Sequence, residues 1–124
     1  MTLQIELVAA DRVVWSGEAR EVIARTAEGD IGVLTGHAPL LSLLVPGVVE
    51  IHPVEGGEVL RAAVSEGFIS VAADRVSILS EDTFLADEVD EAATTADLEK
   101  ARSSDDELAV RRAEAKLRLI GKAS

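Results

Sequence analysis

His37 is one of two histidines in a chain of 124 residues, and it stands in Glu28–Leu41, EGDIGVLTGHAPLL, among Gly29, Gly32, Gly36 and Pro39. An imidazole titrates near neutral pH and could serve as a general base. Glycine permits positive φ and close backbone approach, whereas proline fixes φ and removes a donor. The stretch is therefore expected to form a shaped loop and corner between two strands, not one continuous strand. A base also needs a group to deprotonate, and no GxSxG elbow supplies a nucleophile. Adjacent acids such as Glu81 and Asp82 could share acid–base work, but chance alone produces such pairs in a chain with 23 acids. A β-sandwich enzyme using His37 and carboxylates remains an alternative. It requires activity of the purified chain that is lost in His37→Ala.

Other chemistries lack their parts. Neither a GxxxxGK P-loop nor GxGxxG is present, so the chain has no phosphate cradle of those types. Cysteine is absent, which excludes disulfides and thiolate metal sites. His37 and His52 alone argue against a zinc cage, although carboxylates could complete one. No metal and no cofactor is expected. The residue types describe a binding or mechanical part with no active site of its own.

Charge narrows the partners. A formal net charge of −11 opposes binding to nucleic acid, whose affinity comes from cationic surface. It equally opposes docking on anionic lipid. The opening MTLQIELVAADR has no basic n-region, and no apolar run approaches the length of a membrane span. The reading is a soluble, cytoplasmic chain whose partner is another protein.

Two grammars divide the chain, with a boundary expected after residue 86. Leu3, Ile5 and Leu7 alternate with Gln4 and Glu6, the period of a half-buried strand. Val48–Ile51, Val59–Val64, Phe68–Ala72 and Val76–Leu79 are further strand-like runs, punctuated by Ser16-Gly17, Pro46-Gly47, Glu55-Gly56-Gly57 and Ala73-Asp74. Such spacing predicts an antiparallel sandwich or barrel over residues 1–86. Residues 87–124 instead read as a helical hairpin. Val89, Ala92, Ala93 and Ala96 make one helical stripe, and Ala109, Ala113, Leu117 and Ile120 a second. Ser104 and Glu107 have capping-box spacing, which places a turn near Arg102–Ser104.

Charge is sorted within that hairpin. Asp87, Glu88, Asp90, Glu91, Asp97 and Glu99 dominate its first half, while Arg111, Arg112, Lys116, Arg118 and Lys122 dominate its second. Opposite charges could pair across the hairpin, each exposed pair contributing less than about 1 kcal/mol. Alternatively, the basic helix could leave and dock on an acidic partner. Both can hold, because an alanine-lined hairpin buries little apolar surface and opens cheaply.

Leu3–Ala9, Val14-Trp15-Ser16-Gly17, Gly29-Asp30-Ile31-Gly32-Val33-Leu34, Gly36-His37-Ala38-Pro39-Leu40-Leu41, Pro46-Gly47, Glu66-Gly67-Phe68-Ile69-Ser70-Val71 and Val76-Ser77-Ile78-Leu79 together resemble the epsilon subunits of F-type ATP synthases, the counterparts of the mitochondrial delta subunit. The likeness spans essentially the whole chain. It implies an N-terminal antiparallel β-sandwich of about ten strands followed by a C-terminal α-helical hairpin. It also implies a non-catalytic rotor subunit in the central stalk, coupling the gamma subunit to the membrane c-ring at the cytoplasmic face of the plasma membrane, with the proton as coupling ion. By resemblance, Glu28 and Asp30 would face the c-ring, while Ala9, His37 and Ser42 would lie against gamma. Arg111, Arg112, Lys116 and Arg118 would contact the catalytic alpha and beta subunits if the hairpin extended, restraining ATP hydrolysis.

A second implication is a nucleotide-sensing switch, because some members bind ATP on the folded hairpin through Ile/Leu-Asp-x-x-Arg-Ala. Here the stretch reads Val89-Asp90-Glu91-Ala92-Ala93-Thr94. Asp90 remains, but Ala93 replaces the arginine that would supply a charge-assisted contact. Leu119 and Ala123 stand where further arginines would align, and Thr35 replaces the usual proline before Gly-His. Weak or no ATP binding is expected, and micromolar affinity in a direct titration would overturn that. The short second helix predicts a weak mechanical brake.

Overall fold

A computed structural model describes residues 2–54 and 57–122. Met1, Ala123 and Ser124 lie outside the described residues, as do Glu55 and Gly56 of the expected Glu55-Gly56-Gly57 turn. Nine strands precede the helices: β1 Leu3–Ala9, β2 Val13–Thr26, β3 Gly29–Leu34, β4 Leu40–Leu44, β5 Gly47–Pro53, β6 Leu60–Val64, β7 Gly67–Ala72, β8 Arg75–Ser80 and β9 Thr83–Leu85. A short 3-10 turn, Ala86–Glu88, leads to α1 Glu91–Ser103 and α2 Glu107–Leu119.

β2 holds the sandwich together. Its first half pairs with β1, and its second half pairs with β3 on one side and β5 on the other. One layer is thus β2–β1–β8–β7–β4 and the other β3–β2–β5–β6–β9, closed by a single bridge between Thr26 and Leu44. A register shift between Ala19 and Glu21 marks where the strand passes from one layer to the other. Ser16 and Gly17, expected at a turn, therefore sit within β2 opposite Glu6 and Ile5. The chain reverses instead at Ala10–Arg12. The expected loop at Glu28–Leu41 divides similarly: Gly29–Leu34 is strand, and only residues 35–39 form the corner. Gly36 adopts φ +82° there. The sandwich is not wholly antiparallel either, because β1 runs parallel to β8, Gln4 meeting Arg75 and Ala9 meeting Ser80.

Leu3, Ile5, Leu7, Val22, Val33, Val49, Ile51, Ile69, Val71, Val76 and Ile78 fill the space between the layers. A fully buried side chain of this size contributes about 1.5–3 kcal/mol. The turn at Ala73-Asp74 has both residues at positive φ, 50° and 60°, matching the twist of a tight hairpin.

α2 lies on the outer face of β5 and β6 and separates α1 from the sandwich. Its stripe is as expected: Ala113 and Leu117 are buried, with Ile120 half-buried against Leu98 of α1. The α1 stripe is not. Thr94, Leu98 and Ala101 are its buried residues, while Ala92, Ala93 and Ala96 are exposed and Val89 precedes the helix. Alanine marks a face poorly, since it carries little apolar area. The one leucine decides the orientation, and Thr94 satisfies its buried hydroxyl by donating to the Asp90 carbonyl at 2.7 Å.

The cap of α2 also differs from expectation. Asp106, not Ser104, is the N-cap, accepting from the Ala109 N–H at 3.1 Å. Ser104 closes α1 by donating to the Lys100 carbonyl at 3.0 Å. Two candidate caps lie two residues apart, and the turn Ser104–Asp106, with Asp105 at φ 55°, selects the later one. Asp106→Ala is expected to destabilise α2 by about 1 kcal/mol in thermal unfolding, and Ser104→Ala by distinctly less. Equal losses would contradict this cap.

Candidate functional site

Directly opposed residues on paired strands share a sheet face. Leu43 on β4 opposes Phe68 on β7, Phe68 opposes Leu79 on β8, Leu79 opposes Val8 on β1, and Val8 opposes Val13 on β2. Five strands therefore align one apolar band across the outer face of this layer. It is open to solvent: Val13 is 59% exposed, Leu43 55%, Leu79 49% and Phe68 47%, and Leu41, two residues before Leu43, reaches 71%. A contiguous apolar patch of this kind marks a surface awaiting a partner.

Two of the residues expected at a gamma interface border this band but face the other way. Ala9 follows Val8 and is 4% exposed; Ser42 lies between Leu41 and Leu43 and is 8% exposed. Strand alternation sends their side chains inward and their neighbours outward. Ser42 donates to the Glu28 carboxylate at 3.3 Å. His37 lies at the opposite end of β3 from Glu28 and is half-buried, with Nδ1 2.6 Å from the Ala38 carbonyl. Gly36 N–H donates to Asp74 at 2.7 Å, tying the His37 corner to the β7–β8 turn. His37 and Glu81-Asp82 are not assembled into one site among the described residues. Glu81 and Asp82 follow β8, at the end of the sandwich away from the β7–β8 turn.

Glu28 and Asp30 are both exposed near the β2–β3 turn, and Asp30 accepts from Arg25 Nε at 3.0 Å. The tip is thus acidic but partly neutralised by its own sandwich.

The four cations of α2 divide between two environments. Arg112 makes a two-point ion pair with Glu66, at the β6–β7 corner, with Nε 3.0 Å from Oε2. Glu66 is held in place from behind: Ser80 Oγ accepts from Ser65 N–H at 3.0 Å and donates to the Asp82 carbonyl at 2.8 Å, while Ser65 Oγ accepts from Asp82 N–H at 3.0 Å. The bond to Arg112 holds the Glu66 carboxyl below its usual range, and the guanidinium is raised in return. Lys116 Nζ stands 4.1 Å from the centroid of the Phe84 ring on β9. Val48, Ala63 and Phe84 oppose one another across β5, β6 and β9, so α2 lies over an apolar row.

Arg111 and Arg118, by contrast, are exposed on another face of α2. Arg111 bonds Glu107 at 3.0 Å within its own helix. The expected pairing of α2 cations with α1 acids does not occur among the described residues. Among the described residues the hairpin is instead bridged with reversed polarity, Arg102 of α1 standing 3.7 Å from Glu114 of α2. Glu88 bonds Arg12 at 2.7 Å instead, and its carboxyl is lowered by that bond. Asp90 is the N-cap of α1 and accepts from Ala93 N–H at 3.0 Å. Little in the sequence marks Glu66 as a docking residue. Its only signal was an acid between a serine and a glycine at a strand corner.

This sandwich is one that a family model describes. Residues 2–86 match the ATP synthase delta/epsilon chain β-sandwich domain. Over 118 residues the chain is 54% identical to the ATP synthase epsilon chain of Streptomyces griseus subsp. griseus, covering 95% of this chain and 94% of that protein. Over 123 residues it is 49% identical to the ATP synthase epsilon chain of Corynebacterium glutamicum, covering 98% and 95%. A chain of the Euglena gracilis mitochondrial ATP synthase OSCP/F1/c-ring structure superposes with a TM-score of 0.74 at 28% identity, covering 98% of this chain and 78% of that one. A chain from the central stalk and c-ring of Tetrahymena thermophila mitochondrial ATP synthase shares the fold, with a TM-score of 0.62 at 17% identity and coverage of 91% and 97%. The chain belongs to the epsilon-subunit family of F-type ATP synthase.

Proposed function

We propose that this chain is a non-catalytic rotor subunit that couples gamma to the c-ring, peripheral at the cytoplasmic face of the membrane, in a proton-driven synthase. The observation that carries this reading is the exposed apolar band Val13–Val8–Leu79–Phe68–Leu43, a broad rigid face suited to a permanent partner. Gamma is the partner to which it is assigned. Ala9 and Ser42 take part through their outward neighbours, and His37 from the far corner. Glu28 and Asp30 form a separate acidic tip suited to polar c-ring loops, and rim charges of that sort steer assembly more than they hold it. Among the described residues no helix is long and apolar enough to cross a membrane. The c-ring therefore supplies the membrane attachment in this reading.

Binding to isolated gamma tests the assignment. Phe68→Asp is expected to weaken association by about 2–4 kcal/mol, some 30- to 1,000-fold. Asp30→Asn should leave gamma binding intact. Parent-like affinity in Phe68→Asp would remove gamma from this face. Restraint of ATP hydrolysis by the hairpin is the second part of the proposal. It needs α2 to exchange the Glu66 and Phe84 contacts for acidic surface on the catalytic alpha and beta subunits. Inhibition of a catalytic head by the full chain, but not by one ending after Leu85, tests it. The nucleotide-sensing alternative is disfavoured here, since Asp90 serves as a helix cap and Ala93 offers no charge.

A further inference from the structure

The apolar band Val13–Val8–Leu79–Phe68–Leu43 is one residue deep along each strand. A stable interface buries about 800 Å² on each partner, so a bound partner must extend beyond a single row. On one side of the band the strands end in turns, at Ala10–Arg12 and Glu81-Asp82. On the other, about 7 Å along the strands, lies a second outward row, Ser16–Glu6–Ser77–Ser70–Leu41. A third row holds Glu18, Gln4, Arg75 and Ala72, and the residues of both rows are exposed. Serine is short, so Ser16 and Ser77 leave a cleft of about 230 Å³ around Glu6, bordered by Gln4 and Arg75. Its two charges are opposite and unpaired. Arg12, Arg25 and Arg61 each bond a carboxylate of their own chain, and Glu18 accepts from Gln4 at 3.0 Å. Among the described residues neither Glu6 nor Arg75 forms an ion pair, with each other or with a neighbour. Arg75 stands opposite Gln4, one strand over and one row along from Glu6.

We propose that Glu6 and Arg75 are the specificity-determining pair of the gamma-binding face, Glu6 meeting a cation of gamma and Arg75 a carboxylate. The inference rests on the assignment of gamma to this face. Apolar burial is non-directional, so the band supplies affinity but little register. Two opposite charges set a row apart add a direction. Turned end for end, gamma would set like charge against like; slipped by a row, it would leave both charges unpaired. Specific interfaces reject wrong dockings by such penalties. The Ser16 and Ser77 hydroxyls flank Glu6 and can accept the remaining N–H groups of an incoming ammonium or guanidinium.

Affinity of the full chain for isolated gamma is the test, with the charges reversed one at a time and together. Both side chains point outward from strands, so parent thermal unfolding is expected of every variant. Glu6→Arg and Arg75→Glu should each weaken binding about 100-fold, and the milder Glu6→Gln and Arg75→Gln about tenfold. The double variant carrying both reversals keeps the net charge of −11, yet should bind at least as weakly as either single one. Attraction by net charge alone predicts otherwise: one reversal would tighten binding, the other would weaken it, and the double variant would match the parent. Tighter binding in either single reversal, or parent affinity in the double variant, would overturn the pair. Parent affinity in both single reversals, with Phe68→Asp having lost binding, would overturn it too and leave gamma assigned to this face. Parent affinity in Phe68→Asp would remove gamma from the face and the pair with it.

Discussion

Gly67→Ala is expected to cost the native sandwich a large part of its stability. A Cβ at this position would stand 1.8 Å from the Leu79 carbonyl oxygen, 2.8 Å from the Leu79 carbonyl carbon and 2.9 Å from Ser80 Cα. All three are backbone atoms, so no side chain can swing aside. Gly67 pairs with Ser80 on β8 and Leu44 on β4, and relief would pull apart two ladders at once. A loss of about 3–5 kcal/mol is expected, which is a large fraction of a typical total of 5–15 kcal/mol. Urea unfolding measures it. Gly36→Ala provides the contrast, because φ is +82° there but nothing lies within 4 Å of the added carbon. That change should cost only about 1 kcal/mol. A Gly67→Ala chain as stable as its parent would contradict the β7–β8 pairing itself.

The second large effect concerns the docked hairpin. Glu66→Gln removes the charge that Arg112 meets at the β6–β7 corner. Hydrogen bonds to charged groups contribute about 1.5–3 kcal/mol, and partial exposure of this pair reduces that to about 1–2 kcal/mol. Opening of α2 should therefore become about 5- to 30-fold more frequent, read by hydrogen exchange of Ala113–Leu117 against strand amides that do not change. Arg112→Gln should behave alike, and the double variant should cost little more than either single one. The pH dependence has a definite sign. Because the folded carboxyl titrates below the ordinary glutamate value of about 4.3, its contribution is complete above that pH and is lost as pH falls through the folded value. Acid should loosen the parent hairpin more steeply than the Glu66→Gln hairpin. Parallel profiles would show that another carboxylate governs docking.

The sandwich was largely readable from alternation, because core positions such as Leu3, Ile5, Leu7 and Val76, Ile78 repeat every second residue. Ser16-Gly17 misled because local turn chemistry cannot see β1, whose pairing carries β2 straight through both residues. The parallel β1–β8 contact was equally hidden, since no local pattern encodes which distant strand becomes a neighbour. In the hairpin, α2 could be placed by Leu117 and Ile120, whereas α1 offered mainly alanines, and the single Leu98 set its face. Ala9 and Ser42 are buried, and their strand neighbours Val8, Leu41 and Leu43 belong to the outer face. A shift of one position in a strand is the difference between core and surface. The Arg112–Glu66 pair joins residues 46 positions apart on different elements, and sorted charge alone pointed to α1 instead.

The parallel contact of β1 with β8 also sets an order of events in making the protein. Gln4 waits for Arg75, seventy-one positions further along the chain. Until β8 has left the ribosome, β1 can lean only on β2, and the inner side chains Leu3, Ile5 and Leu7 lack one wall of their enclosure. Closure over so long a separation is slow compared with helix formation. The two helices, synthesised last and joined by local contacts, then meet a surface already complete. Nascent chains whose β8 is still inside the ribosome should therefore remain sensitive to protease throughout, and those long enough to expose Ser80 outside it should acquire resistance in one step.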